Sequence, residues 1–326
     1  MTTHRKTYRL RTPVHHSLRD RPLIDFLVVR FPYLTRELWE TRILTGRVIV
    51  NGAPADPGDI VRRNDIVEYE LTVDEPDVDF SYDAVYEDQH LFVVSKSGNI
   101  PVHASGQFIG NTLISSLRSE RGDALALSHR LDRETSGLII TTKTLQARRA
   151  MSAAFEEGRI RKTYLAVVLG VPEADSFTVD VPLRKIGKQH PVPRSVADLR
   201  RGRPARTNVC VLERFSHAAL LKVDPLTGRT NQIRAHLELA GHPVVGDKSY
   251  GVPASLIRDI LERPDSEPVR RHLLIGRHAL HATRLRFAHP VAGVSLDLSA
   301  ALPRDLALLI HRLRKETSKL PQPNGA

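Results

Sequence analysis

The segment Ser128-His129-Arg130-Leu131-Asp132-Arg133-Glu134-Thr135-Ser136-Gly137 decides how the rest of the chain reads. A short strand delivers an aspartate into a polar turn closed by Thr-Ser-Gly, and an apolar strand, Gly137 to Thr142, leads away from it. An isolated Asp in such a turn most often caps its own backbone. The surrounding sequence gives this one a different standing.

Outward from the turn, strands are expected at Leu91 to Val94, Tyr164 to Leu169, Phe177 to Val181, Thr207 to Leu212, Leu220 to Val223, His281 to Phe287 and Ser295 to Leu298. Helices are expected at Thr112 to Arg118, Gln146 to Glu157, Gln232 to Ala240 and Arg304 to Leu313. Runs of strands punctuated by helices predict an α+β domain with a mixed, largely antiparallel sheet flanked by helices. This domain is expected over residues 75–314, followed by a disordered tail at 315–326.

Residues 1–20 carry Arg5, Lys6, Arg9, Arg11 and Arg19 and read as a mobile basic arm. Over residues 21–74 the texture changes. Leu23, Phe26, Leu27 and Phe31 recur at helical spacing, as do Leu38, Trp39, Ile43 and Leu44. Gly46 stops the second helix, Val48 to Val50 forms a short strand, and Asn51-Gly52 turns it. Arg36, Arg42 and Arg47 lie along this small α/β module. The acidic stretch Val73 to Asp79 reads as a linker.

The chain has 326 residues, 41% hydrophobic and 26% charged, which suits a soluble globular protein. Its formal net charge of +11 favours a polyanionic partner. No apolar run spans a bilayer and no signal-peptide core opens the chain, so nucleic acid is expected over a membrane and the cytoplasm is the expected compartment. The single cysteine, Cys210, forms no internal disulfide and reads as a buried small hydrophobe. No segment has metal-ligand or phosphate-loop spacing, so neither a metal nor a cofactor is expected. The basic residues Arg184, Lys185, Lys188, Arg194, Arg200, Arg201 and Arg203 read as a loop contacting RNA.

The module at 21–74 resembles the S-four RNA-binding domain through Thr35-Arg36, the helix to Ile43 and Gly46-Arg47-Val48-Ile49-Val50-Asn51-Gly52. That resemblance implies that Arg36, Arg42 and Arg47 meet RNA backbone. From Val85 to Pro290 the chain resembles the RluA family of pseudouridine synthases. Besides the turn at Asp132, the likeness rests on Arg161-Lys162-Thr163-Tyr164-Leu165-Ala166-Val167-Val168 and Thr227-Gly228-Arg229-Thr230-Asn231-Gln232-Ile233-Arg234-Ala235-His236-Leu237. It continues through Gly241 to Asp247 with Tyr250-Gly251, then Leu280-His281-Ala282 and His289-Pro290. Departures are Asn231 where histidine is usual, Glu134 for Asp, and Ser97 and Ala104 for prolines.

The resemblance implies a cofactor-free isomerase that turns uridine into pseudouridine in structured RNA, with large-subunit ribosomal RNA favoured and transfer RNA open. It assigns Asp132 as the carboxylate acting on the sugar, either on the anomeric carbon or on the 2′ proton. Arg234 is its countercharge, and Tyr164 stacks on the extruded base with a hydroxyl available for proton transfer. Ile233 packs beneath that base and Arg130 stands beside the flipped nucleotide. A monomer is expected. The rivals are a non-catalytic RNA-binding or ribosome-assembly protein that keeps the fold, and a hydrolase, which needs a second carboxyl that no motif supplies.

Overall fold

The computed structural model describes residues 3–187 and 194–319. They divide into one unit of residues 3–77 with 104–111 and another of 78–103 with 112–187 and 194–319. In the first unit the helical apolar spacing produces Leu23–Arg30 and Arg36–Leu44, the second capped by the Thr35 side chain accepting from the Leu38 amide. Leu23, Phe26, Leu27, Phe31, Trp39 and Ile43 bury against Val48, Val67 and Tyr69 of a four-stranded antiparallel sheet. The indole of Trp39 donates to the Phe31 carbonyl at 3.2 Å, satisfying its only polar group in the core.

Two expectations fail in this unit for a shared reason. Thr3–Pro13 is a strand, not a mobile arm, and its partner is Ile66–Pro76, which absorbs most of the acidic stretch expected as a linker. Their register sets Arg5 opposite Asp74, Arg9 opposite Glu70 and Arg11 opposite Glu68. The basic and acidic runs are cross-strand complements. Glu75, near the end of the second strand, is fully buried. Its Oε1 accepts the backbone amides of Ile109 (2.6 Å), Gly110 (3.0 Å) and Asn111 (2.7 Å), while Oε2 accepts the Tyr8 hydroxyl. This one carboxylate ties residues 104–111 into the unit.

The second unit is built on a ten-stranded sheet. Its main path runs Ser176–Asp180, Arg206–Arg214, Ala218–Pro225, Arg161–Leu169, Leu280–Ala288, Ser136–Thr142, Leu91–Lys96 and Tyr82–Glu87. Every pairing is antiparallel except that of Ser136–Thr142 with Leu280–Ala288. This is the mixed, largely antiparallel sheet expected of an α+β domain. Both faces are covered: Phe92, Val94 and Ile139 join one core cluster, while Leu91, Val93, Leu138 and Ile140 join another under the helix Leu145–Glu156. Alternate residues of the same strands thus enter different cores. The helix Arg304–Ser318 buries Leu306, Leu309, Ile310 and Leu313 in the first of them.

Other departures are local. Residues 315–318, expected in a disordered tail, complete the last helix, and residues 320–326 lie outside the described residues. Arg184, Lys185 and Arg194 belong to a hairpin, Leu183–Ile186 with Arg194–Ala197, instead of a loop; Lys188 is outside the described residues. The helices Ala254–Glu262 and Glu267–Leu273 were not expected. Cys210 is half-buried in its strand rather than fully enclosed.

Glu75→Ala should leave three amides without an acceptor and destabilise the first unit by about 2–4 kcal/mol. Amide exchange should accelerate at Ile109, Gly110 and Asn111. Unchanged exchange at those three positions would remove the role given to the carboxylate.

Candidate active site

The turn carrying Asp132 is fastened from below by buried polar groups. The Thr135 hydroxyl meets His278 Nε2 at 2.7 Å and the Ser136 hydroxyl meets His281 Nδ1 at 3.0 Å. Burial, with nearby cations contributing, holds His278 well below its ordinary value and brings His281 down to about 4, so both rings are neutral near pH 7. The Glu134 carboxylate accepts from Lys248 at 2.5 Å and from the His278 amide at 3.1 Å. Gly137 closes the turn with φ +108°, and a Cβ there would stand 2.2 Å from the Ala282 carbonyl oxygen on the parallel neighbour strand. Only glycine meets both conditions.

Lys96 lies beneath this turn, 1% exposed, and its ammonium donates to the carbonyls of Arg133 (3.0 Å) and Ser97 (3.1 Å). Burial, aided by Arg277, lowers it to about 7, against the pull of Asp132 in the other direction.

Above the turn, Arg234 sits in the helix Gln232–Leu239. Its Nη1 donates to Asp132 Oδ2 at 2.9 Å, and its Nε and Nη2 grip Asp247 Oδ2 and Oδ1 at 2.5 and 2.7 Å. The Tyr250 ring lies 5.0 Å from the guanidinium carbon. Burial opposes the Arg234 charge, but Asp247 and then Asp132 outweigh it and hold the guanidinium above its ordinary value. Asp247 Oδ1 also accepts the amides of Ser249 (2.8 Å) and Tyr250 (3.1 Å), so both of its oxygens are engaged. Asn231, the departure noted in sequence, caps the same helix in the left-handed region at φ 53°. With its amide nitrogen turned towards Asp132 it donates to Oδ1 at 3.2 Å and Oδ2 at 3.0 Å.

These groups open on a cavity of about 330 Å³ lined by Arg130, Asp132, Lys162, Tyr164, Ile233 and Arg234 among others. That volume suits a small ligand or a single nucleobase with its sugar. Tyr164 is buried, and burial followed by the Asp132 charge raises its phenol above the ordinary value, so it remains a neutral donor. A register shift on the neighbouring strand, where Thr163 faces Arg284 and Tyr164 faces Ala282, accompanies its entry into the cavity. Ile233 is buried beside it, and Arg130, exposed, contacts His103 Nε2 at 3.0 Å. Asp132 is the only carboxylate among the described lining residues.

The structure therefore brings Asp132, Tyr164, Arg234, Arg130 and Ile233 to one place. Arg36, Arg42 and Arg47 belong to the first unit, where Arg36 pairs with Asp25, Arg42 donates to the Glu70 carbonyl and Arg47 is exposed. Sequence reasoning gave no role to Lys96 or Lys162, noted Asn231 only as a departure, and missed the part Asp247 plays. Lys162 carried a signal, since it stands two residues from Tyr164 on one strand and so shares its face. Among the described residues no cluster of His, Cys, Asp and Glu is arranged to hold a metal ion.

Residues 90–239 match the family model described as RNA pseudouridylate synthase. The ribosomal large subunit pseudouridine synthase D of Nitrosomonas europaea is 34% identical over 236 residues, 71% of this chain and 64% of that protein. The ribosomal large subunit pseudouridine synthase C of Haemophilus ducreyi is 31% identical over 308 residues, covering 90% of this chain and 92% of that one. Among solved structures, human RNA pseudouridylate synthase domain containing 4 is similar with a TM-score of 0.55 and 26% identity, over 74% of this chain and 94% of that chain.

Lys96 should impose a pH dependence on stability. Below pH 7 its ammonium is charged in the folded and the unfolded chain, and the folded state carries the whole burial cost. Between about 7 and the ordinary 10.5 only the unfolded chain stays protonated, so the stability due to this group rises with pH. Unfolding free energies of the wild type and Lys96→Met, compared at pH 6, 8 and 10, should show the wild type gaining on the variant. A constant difference would rule the shift out.

Proposed function

Since the chain belongs to the RNA pseudouridylate synthase family, and isomerises uridine to pseudouridine in RNA, we propose that Asp132 is the carboxylate that acts on the ribose of the target uridine. The observation carrying this reading is the pair Arg234–Asp132 at 2.9 Å, at the wall of a cavity with no other carboxylate among its described lining residues. Arg234 donates to Oδ2, while Oδ1 has only the Asn231 amide at 3.2 Å. Substrate and product are isomers, so one carboxylate that first opens the glycosidic bond and is then released is sufficient. A hydrolase would need a second carboxyl near the first, and Asp247 is spent on Arg234 and two amides.

In this reading the uracil leaves the RNA stack and lies against the Tyr164 ring and Ile233. The neutral Tyr164 hydroxyl assists the proton transfer that completes the new carbon–carbon linkage. Arg130, exposed at the cavity rim, takes a place beside the extruded nucleotide. The first unit serves as an S-four-type RNA-binding domain, with Arg36, Arg42 and Arg47 on phosphates. Two relatives are named for the large ribosomal subunit, which supports large-subunit ribosomal RNA as the substrate and hence a cytoplasmic location. All the residues assigned to the reaction come from one chain, so a monomer suffices.

Purified wild type and Asp132→Asn are incubated with unmodified large-subunit ribosomal RNA and with transfer RNA, and pseudouridine is mapped by chemical adduct and primer extension. New sites in ribosomal RNA with the wild type and none with Asp132→Asn are expected. Sites confined to transfer RNA would overturn the substrate, and activity surviving in Asp132→Asn would overturn the assignment of the carboxylate. With a 2′-deuterated target uridine, a primary isotope effect assigns Asp132 to the 2′ proton, and its absence assigns attack on the anomeric carbon. Tyr164→Phe, which keeps the ring, should lower kcat by about 10²-fold or more with little change in KM.

A further inference from the structure

The cavity holds more positive charge than the reaction uses. Arg130, Lys162, Arg229 and Arg234 line it against one carboxylate, and Arg234 is committed to Asp132 and Asp247. Among the described residues no carboxylate pairs with Lys162, Arg229 or Arg130.

Lys162 is the least provided for. It is half-buried on the strand Arg161–Leu169, and among the described residues the one hydrogen bond of its ammonium is a 3.4 Å contact to the Thr227 carbonyl. An ammonium has three N–H groups to satisfy. Burial and then the neighbouring Arg229 hold Lys162 below its ordinary value, and Arg229 is itself lowered by burial and by Arg203. Adjacent half-buried cations cost stability unless an anion joins them.

The turn facing Lys162 is prepared in advance. Gln232 Oε1 accepts the Thr227 hydroxyl (2.7 Å) and the Arg229 amide (2.9 Å), while its Nε2 donates to the Arg206 carbonyl and the Thr207 hydroxyl, both at 3.0 Å. Gly228 leaves the ammonium uncovered, since a Cβ there would stand 3.6 Å from Lys162 Nζ. The Arg229 guanidinium is steadied by the Pro204 carbonyl at 2.8 Å. A rigid turn therefore presents two cations to the same cavity that receives the base.

Uracil and ribose are neutral, so the negative charges a uridine brings to this cavity are those of its phosphodiesters. We propose that Lys162 and Arg229 clamp the RNA phosphodiester adjoining the extruded uridine. The clamp rests on the reading of this cavity as the uridine site. It anchors the flipped state through the backbone, where the base contributes no charge.

The test compares the wild type with Lys162→Met, Arg229→Met and Lys162→Arg as intact chains. Binding of a large-subunit ribosomal RNA fragment is measured across a series of KCl concentrations. Losing one phosphate contact should make the slope of log K against log salt shallower by about 0.7–0.9 in each Met variant, and Lys162→Arg should restore it. On a fragment bearing a mapped target uridine, Lys162→Met should raise KM by about tenfold and change kcat little. Replacing one of the two flanking phosphodiesters by a neutral methylphosphonate should cost the wild type a similar factor and the Lys162→Met protein nothing more. An unchanged slope in Lys162→Met, or losses from variant and neutral linkage that simply multiply at both flanking positions, would overturn the clamp. If the wild type modified no RNA the catalytic reading would fall, but the slope comparison needs no turnover and would still decide the clamp.

Discussion

Everything at the cavity depends on how a buried guanidinium is shared between two carboxylates. Arg234 bonds Asp132 with one arm and Asp247 with the other two nitrogens, and the Tyr250 ring faces it. An uncompensated cation at that depth would cost several kcal/mol, and a lone buried carboxylate likewise. Together the three groups carry one surplus negative charge, and Lys96 lies below the turn to meet it when protonated. Asp247 is therefore a positioning residue: it fixes the arginine that aims Asp132. The division of labour also explains why two aspartates near one another do not make a glycosidase pair.

The amount legible in the sequence differed by kind of feature. Asp132, Tyr164 and Arg234 sit in segments whose residue order is distinctive, so their meeting in one cavity could be anticipated, as could the strand that carries Tyr164 and the helix that carries Arg234. What could not be read was the support. No role could be read for His278 or His281, because their partners, Thr135 and Ser136, lie far off in the chain and meet them only through the parallel strand pair. Lys96 gave no sign of burial, since a lysine at the end of an apolar strand ordinarily reaches solvent.

The N-terminal region shows the opposite failure, a local reading that was too local. Lys6, Tyr8, Leu10 and Thr12 alternate with Arg5, Thr7, Arg9 and Arg11, which is a strand pattern with only two large apolar residues on its inner face. Each charged run looked solvated by itself. Once Thr3–Pro13 and Ile66–Pro76 are laid antiparallel, Arg5, Arg9 and Arg11 face Asp74, Glu70 and Glu68, and neither run is a tail or a tether. Pairing across about sixty residues is what single-segment periodicity cannot register.

The Glu75 clasp has a consequence for how the protein is made. The acceptor belongs to residues 3–77, but its three backbone donors arrive at Ile109, Gly110 and Asn111, after the chain has already begun the other unit. During vectorial synthesis Glu75 Oε1 has none of its three amide donors until Asn111 has left the ribosome. Completion of the N-terminal unit is thereby timed by the translation of its neighbour, and no single cut in the gene yields either unit whole.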